Sequence, residues 1–290
     1  MQAFLHQLLS GVAVGSIYAA LALALVMIFK ATHQVSFAQG ELAMFSTYIA
    51  LTLIHKGVPY WAAFALTLVI SFIIGVAIER LIMRPFKNAP PLTPVIVFIG
   101  LLLAINGLAG WQFSPVTQLF PSPFPDRAWY GTTYLSPHEI GMIAVTLVVL
   151  GAVFAFFRFT KLGLAMRAAA ENPGSSRLVG IRVGWMLALG WGLASALGAV
   201  AGMMAAPILS LEPGMMGSVL LYAFAAALLG GIDNPWGAPI GGLIIGMLEN
   251  VAGAYVVGDQ LKLPLALAII ILVLLFKPSG LFGRTVVVRV

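Results

Sequence analysis

RFTKLGLAMRAAAENPGSSRLVGIR, residues 158 to 182, is a basic segment set between two long apolar runs. It holds Arg158, Lys161, Arg167, Arg177 and Arg182 against a single acid, Glu171. Basic connections between membrane spans collect on the cytoplasmic side. The stretch therefore points to an all-α polytopic membrane protein with this segment inside the cell. Leu162 to Glu171 is a run of good helix formers whose small alanines let another surface approach closely. Asn172 precedes Pro173 and is biased out of helical geometry, which ends that helix. Ser175 or Ser176 is then the expected N-cap of one short turn that stops at Gly180. Two readings stay open for this helix, break and second turn. It is a solvated loop whose charge sets topology, or a docking element for a cytoplasmic partner.

The composition agrees with a membrane protein. The chain has 290 residues, 61% hydrophobic and only 8% charged, with a mean hydropathy of +1.05, where soluble domains carry about 25% charged residues. No linker or low-complexity stretch divides it, so residues 1–290 are expected to form one domain with a cytoplasmic segment at 158–182. The net charge of +6 does not indicate a nucleic-acid partner, because the basic residues cluster at the ends of apolar runs. With no cysteine, disulfides and thiolate metal sites are excluded. No basic stretch precedes the first apolar run, which is expected to be a retained span rather than a cleaved signal peptide.

A span needs about 20 apolar residues, and Phe4 to Phe29 meets this, with Gly11, Gly15 and Ala19 forming a small-residue ridge for helix packing. Thr32 to Glu41 is unusually polar for a segment leading into a second apolar run, Leu42 to Ile54. Gln39 and Glu41 are placed inside the membrane there, where costly polar groups face a cavity or a partner unless the glutamate snorkels to the interface. Tyr60 to Ile78 and Leu92 to Trp111 are the third and fourth spans, the latter with Asn106 as its one strongly polar member. Residues 112 to 138 are rich in proline and aromatics, including Trp129, Tyr130 and Tyr134, with Arg127 alone basic. They suit the outer headgroup region or a platform for an external partner.

Ile140 to Phe157 and Trp185 to Leu209 flank the basic segment, and the second carries a ridge at Ala194, Gly198, Gly202 and Ala206. Residues 219–230 and 237–257 are expected as two helices meeting at a glycine-rich turn, with Glu249 and Asn250 as a polar pair in the second. Leu263 to Phe276 closes the set.

With nine crossings (eight if one segment fails to cross), the N-terminus outside and the C-terminus cytoplasmic, twelve cations lie inside. These are Lys30, Arg80, Arg84, Lys87, the five of residues 158–182, Lys277, Arg284 and Arg289. Lys56, Arg127 and Lys262 are the three outside. The chain contains no Gly-Lys dipeptide and so no phosphate-binding P-loop. His6, His33, His55 and His138 lack metal-ligand spacing, and no catalytic signature stands out. Transport remains, driven in one of two ways. An ion-coupled secondary carrier of small solutes places carboxylates midway through the membrane, as Glu41 and Glu249 allow. A subunit driven by a separate ATPase needs a cytoplasmic docking helix such as Leu162–Glu171.

Several motifs resemble a known family. Phe37-Ala-Gln-Gly-Glu41, Arg84-Pro85, Gly163-Leu-Ala-Met-Arg-Ala168 with Glu171-Asn172, and Gly180-Ile181 are similar to the permease of branched-chain amino-acid ABC importers, the LivH type. So are Ala226 with Leu228-Leu-Gly-Gly-Ile232, Gly237, Gly241-Gly242 and the ending Pro278-Ser-Gly-Leu-Phe-Gly283. Ser36 stands where the family commonly has Asn, and Gly174-Ser-Ser176 replaces a more helical run.

The resemblance implies a multi-pass permease of the bacterial inner membrane working by alternating access, surrounded by lipid and without a cofactor or enzymatic activity of its own. It implies as partners two cytoplasmic ATP-binding subunits that carry the ATP, a second permease (LivM-like, or a copy of this chain) and a periplasmic amino-acid-binding protein. Lys161, Gly163, Arg167, Ala169, Glu171, Asn172 and Gly180 become the expected coupling residues. Gln39, Glu41, Asn106, Glu249 and Asn250 become the expected pathway or gate residues. Branched-chain or other amino acids, small amides and related carboxylates all remain open as substrates.

Overall fold

α1 (Gln2–Thr32) is apolar around its whole circumference and, from Ser16 to Ile28, buried throughout; a helix of that kind belongs in the centre of a bundle. The computed structural model describes the chain apart from Met1, His33, Lys87, Asn88, Pro91, residues 126–134, Pro278 and residues 284–290, and apart from the side chains of Val257 and Asp259. The expectations for His33, Lys87, Arg127, Trp129, Tyr130, Tyr134, Arg284 and Arg289 lie outside the described residues.

Small residues decide what touches α1. Its Gly11 and Gly15 seat against α10 (Gly237–Ala252), which runs antiparallel to it, and a Cβ on Gly246 would collide with the backbone of Gly15 and Gly11. Without water to drive association inside a bilayer, such close backbone approach is what holds helices together. The second ridge works the same way. Gly198 and Gly202 of α8 (Val183–Leu209) receive Gln39, Ala43 and Thr47 of α2 (Ala38–His55). On the other side of α8, Gly75 of α3 (Tyr60–Ala77) sits against Trp191 and Ser195.

Around this centre lie α4 (Leu92–Phe113) on α2, α5 (Pro137–Phe159) on α1, and α11 (Lys262–Phe276) on α9 (Gly217–Gly230) and α10. The rim helices leave most of their apolar surface uncovered, as lipid-facing helices do. Among the described residues, six helices are long and apolar enough to cross a membrane: α1, α3 with its extension to Phe86, α4, α5, α8 and α10 extended to Val256. The chain is a multi-pass helical membrane protein. The other three expected crossings are shorter: α2 with 18 residues and a polar first turn, α9 with 14 and α11 with 15. At 1.5 Å per residue α9 reaches about 21 Å, less than the ~30 Å hydrocarbon core.

Two boundaries differ from the sequence reading for physical reasons. α5 starts at Pro137, not Ile140, because Ser136 and Glu139 form a reciprocal capping box with proline at the first helical position; His138 is therefore helical. α3 continues past Ala77 as a π-helical turn through Met83.

The bundle has two chemically distinct ends. At one, Lys30 pairs with Glu171 at 2.9 Å, and the Arg80 guanidinium lies 3.7 Å from the centre of the Trp185 ring. The C-terminal segment folds back there onto the α9–α10 turn, Leu281 N donating to Leu229 O at 2.7 Å. At the other end, Ser10 donates to Glu139, Thr117 donates to Glu212, and Gln118 pairs with Leu211 in both backbone directions. The basic segment and the basic ends of α1 and α3 thus share one end.

Candidate functional site

At the basic end, Thr160 caps α6 (Lys161–Glu171) by accepting from Gly163 N at 2.9 Å. Asn172 then leaves helical geometry, with φ −144°, and its Oδ1 accepts from Ser175 N at 2.9 Å to cap α7 (Pro173–Leu178). The cap of this turn is therefore Asn172, not Ser175 or Ser176. Proline at the first helical position presets the turn and leaves the preceding Asn extended, the geometry an N-cap needs. Ser176 is buried instead. Gly180 ends the segment at φ +82°, a conformation that favours glycine.

α6 has two faces. Gly163, Met166 and Ala169 are buried, and a Cβ on Gly163 would meet the Phe156 carbonyl at 2.5 Å and the Phe157 Cα at 2.7 Å. Lys161, Leu164, Arg167, Glu171, Asn172 and Gly180 face outward. The expected coupling residues thus divide into two that seat the helix and five on its open side, of which Glu171 is held by Lys30. Sequence reasoning passed over Leu178 and Val179, which are 89% and 75% exposed. Two large apolar side chains beside Arg177, in a turn otherwise polar, were the available signal.

Within the bundle, Gln39 and Glu41 are both buried and turn away from each other, as residues two apart on a helix must. Gln39 Nε2 donates to the Ala194 carbonyl of α8 at 2.7 Å. Glu41 faces α4, where Asn106 Nδ2 donates to its Oε2 at 3.1 Å. Asn106 also stands under the loop before α9: a Cβ on Gly214 would lie 3.7 Å from its amide nitrogen. Two turns along the same face of α2, Tyr48 stacks on Phe113 of α4 with ring centres 4.9 Å apart. That Glu41–Tyr48 spacing of seven was visible in the sequence and unused.

Glu249 belongs elsewhere. Tyr18 Oη of α1 donates to its Oε2 at 2.6 Å, and Tyr222 of α9, stacked on Tyr18 at 5.1 Å, reaches the same carboxylate. Asn250 lies on the α1 side, its Cβ 3.3 Å from where a Cβ on Gly11 would be. The five expected pathway residues therefore form three separate settings: Gln39 on α8, Glu41 with Asn106, and Glu249–Asn250 against α1. Among the described residues, no group of three or more His, Asp and Glu is placed to hold a metal ion.

Comparison with known proteins converges on one family. Residues 7–275 match the family model described as the permease component of the branched-chain amino acid transport system. The chain is 33% identical to the high-affinity branched-chain amino acid transport system permease protein BraD of Pseudomonas aeruginosa, over 99% of this chain and 98% of the relative. It is 31% identical to LivH of Escherichia coli K12, the permease protein of a high-affinity branched-chain amino acid transport system, with the same coverage. A probable branched-chain amino acid transport permease protein LivH of Methanocaldococcus jannaschii is 28% identical over 91% of this chain and 87% of its own length. No solved structure matches. These likenesses favour the ABC importer reading over the ion-coupled carrier. By family model and by full-length identity, the chain belongs to the branched-chain amino acid transport system permease family.

Proposed function

We propose that this chain is the membrane-spanning subunit of an ATP-driven amino-acid importer of the inner membrane. It works with two cytoplasmic ATP-binding subunits, a second permease (LivM-like, or a copy of itself) and a periplasmic amino-acid-binding protein. ATP is bound by the partners and no cofactor by this chain. Residues 1–290 act as one permease domain of nine crossings, with the N-terminus outside and the α6–α7 end in the cytoplasm. Branched-chain amino acids are the first substrates to test, since the relatives named above transport them.

One observation carries this reading: an amphipathic helix and a capped turn held at the basic end, with Leu164, Leu178 and Val179 turned outward beside Arg167 and Arg177. An exposed apolar patch rimmed by charge marks a protein-interaction site. The ATPases grip this surface, and α6, braced on α5 through Gly163 and on α8 through Met166, passes their closure to the spans. Gln39, Glu41 and Asn106 act along the route that alternates between the two sides, and Glu249 and Asn250 stand beside it, joining α10 to α1. The test is reconstitution. Proteoliposomes with the chain and its partners should take up leucine only with ATP. Uptake by the chain alone on an ion gradient would refute the proposal.

A further inference from the structure

Along the α2–α4 seam two buried acceptors, the Tyr48 hydroxyl and the Glu41 carboxylate, have too little to accept, and an exposed carboxylate stands beyond them. Glu212 sits at the outer end, held by Thr117 Oγ1 at 2.8 Å and near enough for its charge to be felt at the Tyr48 hydroxyl. That hydroxyl is buried and has no hydrogen-bond partner. Two helical turns away on α2, Glu41 is 6% exposed and receives one neutral donor, Asn106. A carboxylate offers about four acceptor positions, and a buried polar group without a partner is costly. Between the two glutamates the Tyr48 and Phe113 rings are stacked, 6° apart, and a ring face uncovered when they part attracts a cation. α4 packs on α2 and leaves most of its surface uncovered, so a small shift of α4 opens the seam.

We propose that this seam is the route by which the ammonium group of an amino-acid substrate passes into the membrane, from Glu212 past the Tyr48 hydroxyl to the Glu41 carboxylate. The substrate class rests on the importer reading above; the preference for cations does not. A neutral solute leaves both carboxylate charges uncompensated and an anion is repelled by them, whereas an ammonium brings three donors and a positive charge.

The chain has no cysteine, so a single probe thiol reports cleanly. In the full complex with binding protein and ATP, Phe45→Cys on this face of α2 is labelled with trimethylammonium-ethyl or sulfonatoethyl methanethiosulfonate. Rates are normalised to those of a free thiol. The cation is expected to react at least about tenfold faster, with the ratio falling toward one when Glu41→Gln is added and partway with Glu212→Gln or Tyr48→Phe. Equal rates, faster labelling by the anion, no labelling by either, or a ratio that survives Glu41→Gln overturns the proposal. A complex that takes up no amino acid yet keeps the ratio would remove the importer reading and leave a cation-selective seam.

Discussion

Glu41 and Glu249 are two glutamates inside one bundle, and their neighbours differ in kind. Glu249 lies where α1 and α10 meet through glycines, takes a hydrogen bond from Tyr18, and feels the charge of Lys262. Glu41 lies between a central helix and a rim helix and takes one neutral donor. A carboxylate surrounded by donors on tightly packed helices holds the fold. A carboxylate left short of donors, beside a helix attached along one face, is available to something that arrives. Residue type alone does not separate these two roles; the count of donors and the freedom of the neighbouring helix do.

Four substitutions separate packing from transport. The largest effect belongs to the packed side. Gly246→Leu forces a side chain into the Gly15 backbone and should cost about 3 kcal/mol or more, read as loss of the monodisperse peak in detergent chromatography. Next, Glu41→Gln should cut leucine uptake about tenfold, the loss of one ionic contact of ~1.4 kcal/mol, while the melting temperature stays put. A lowered melting temperature with normal uptake per folded molecule would move Glu41 to the structural side. Tyr18→Phe should do the opposite, lowering stability by about 1–3 kcal/mol for a lost hydrogen bond to a carboxylate in a thermal melt, with uptake per folded molecule kept. The smallest effect is Lys30→Gln, which removes a pair whose Glu171 side chain is 65% exposed. It should cost about 1 kcal/mol or less and disappear in high salt, checked by melts at two ionic strengths.

Much of this was legible in the residues. Both small-residue ridges fall where helices meet, because spacing by four puts glycine and alanine on one face, and burial in lipid rewards close approach. The break at Asn172-Pro173 and the stop at Gly180 follow from local sterics. Residue type does not pick the cap, since asparagine and serine cap equally well; the proline that follows Asn172 decides it. The pairing of partners was beyond reach: nothing in the sequence states that Asn106 would meet Glu41, or that Tyr18 and Tyr222 would bracket Glu249. Those contacts join residues 65 and 231 positions apart, set by which helices become neighbours. Leu178 and Val179 were hidden for another reason, since apolar residues in an apolar chain carry no contrast until the structure shows them uncovered.

If the chain is an importer subunit, the outward face of α6 and α7 is held by an ATP-driven partner. The direct measurement is cross-linking from Leu178→Cys, the most exposed of the large apolar side chains on that face, in membranes containing the partner subunits and a single-cysteine ATP-binding subunit. A covalent product with the ATP-binding subunit, changing in yield when ATP is added, and protection of Leu178→Cys from impermeant reagents applied outside intact cells, are the predicted results. Rapid labelling from outside, or no product in a complex that still transports, would contradict it.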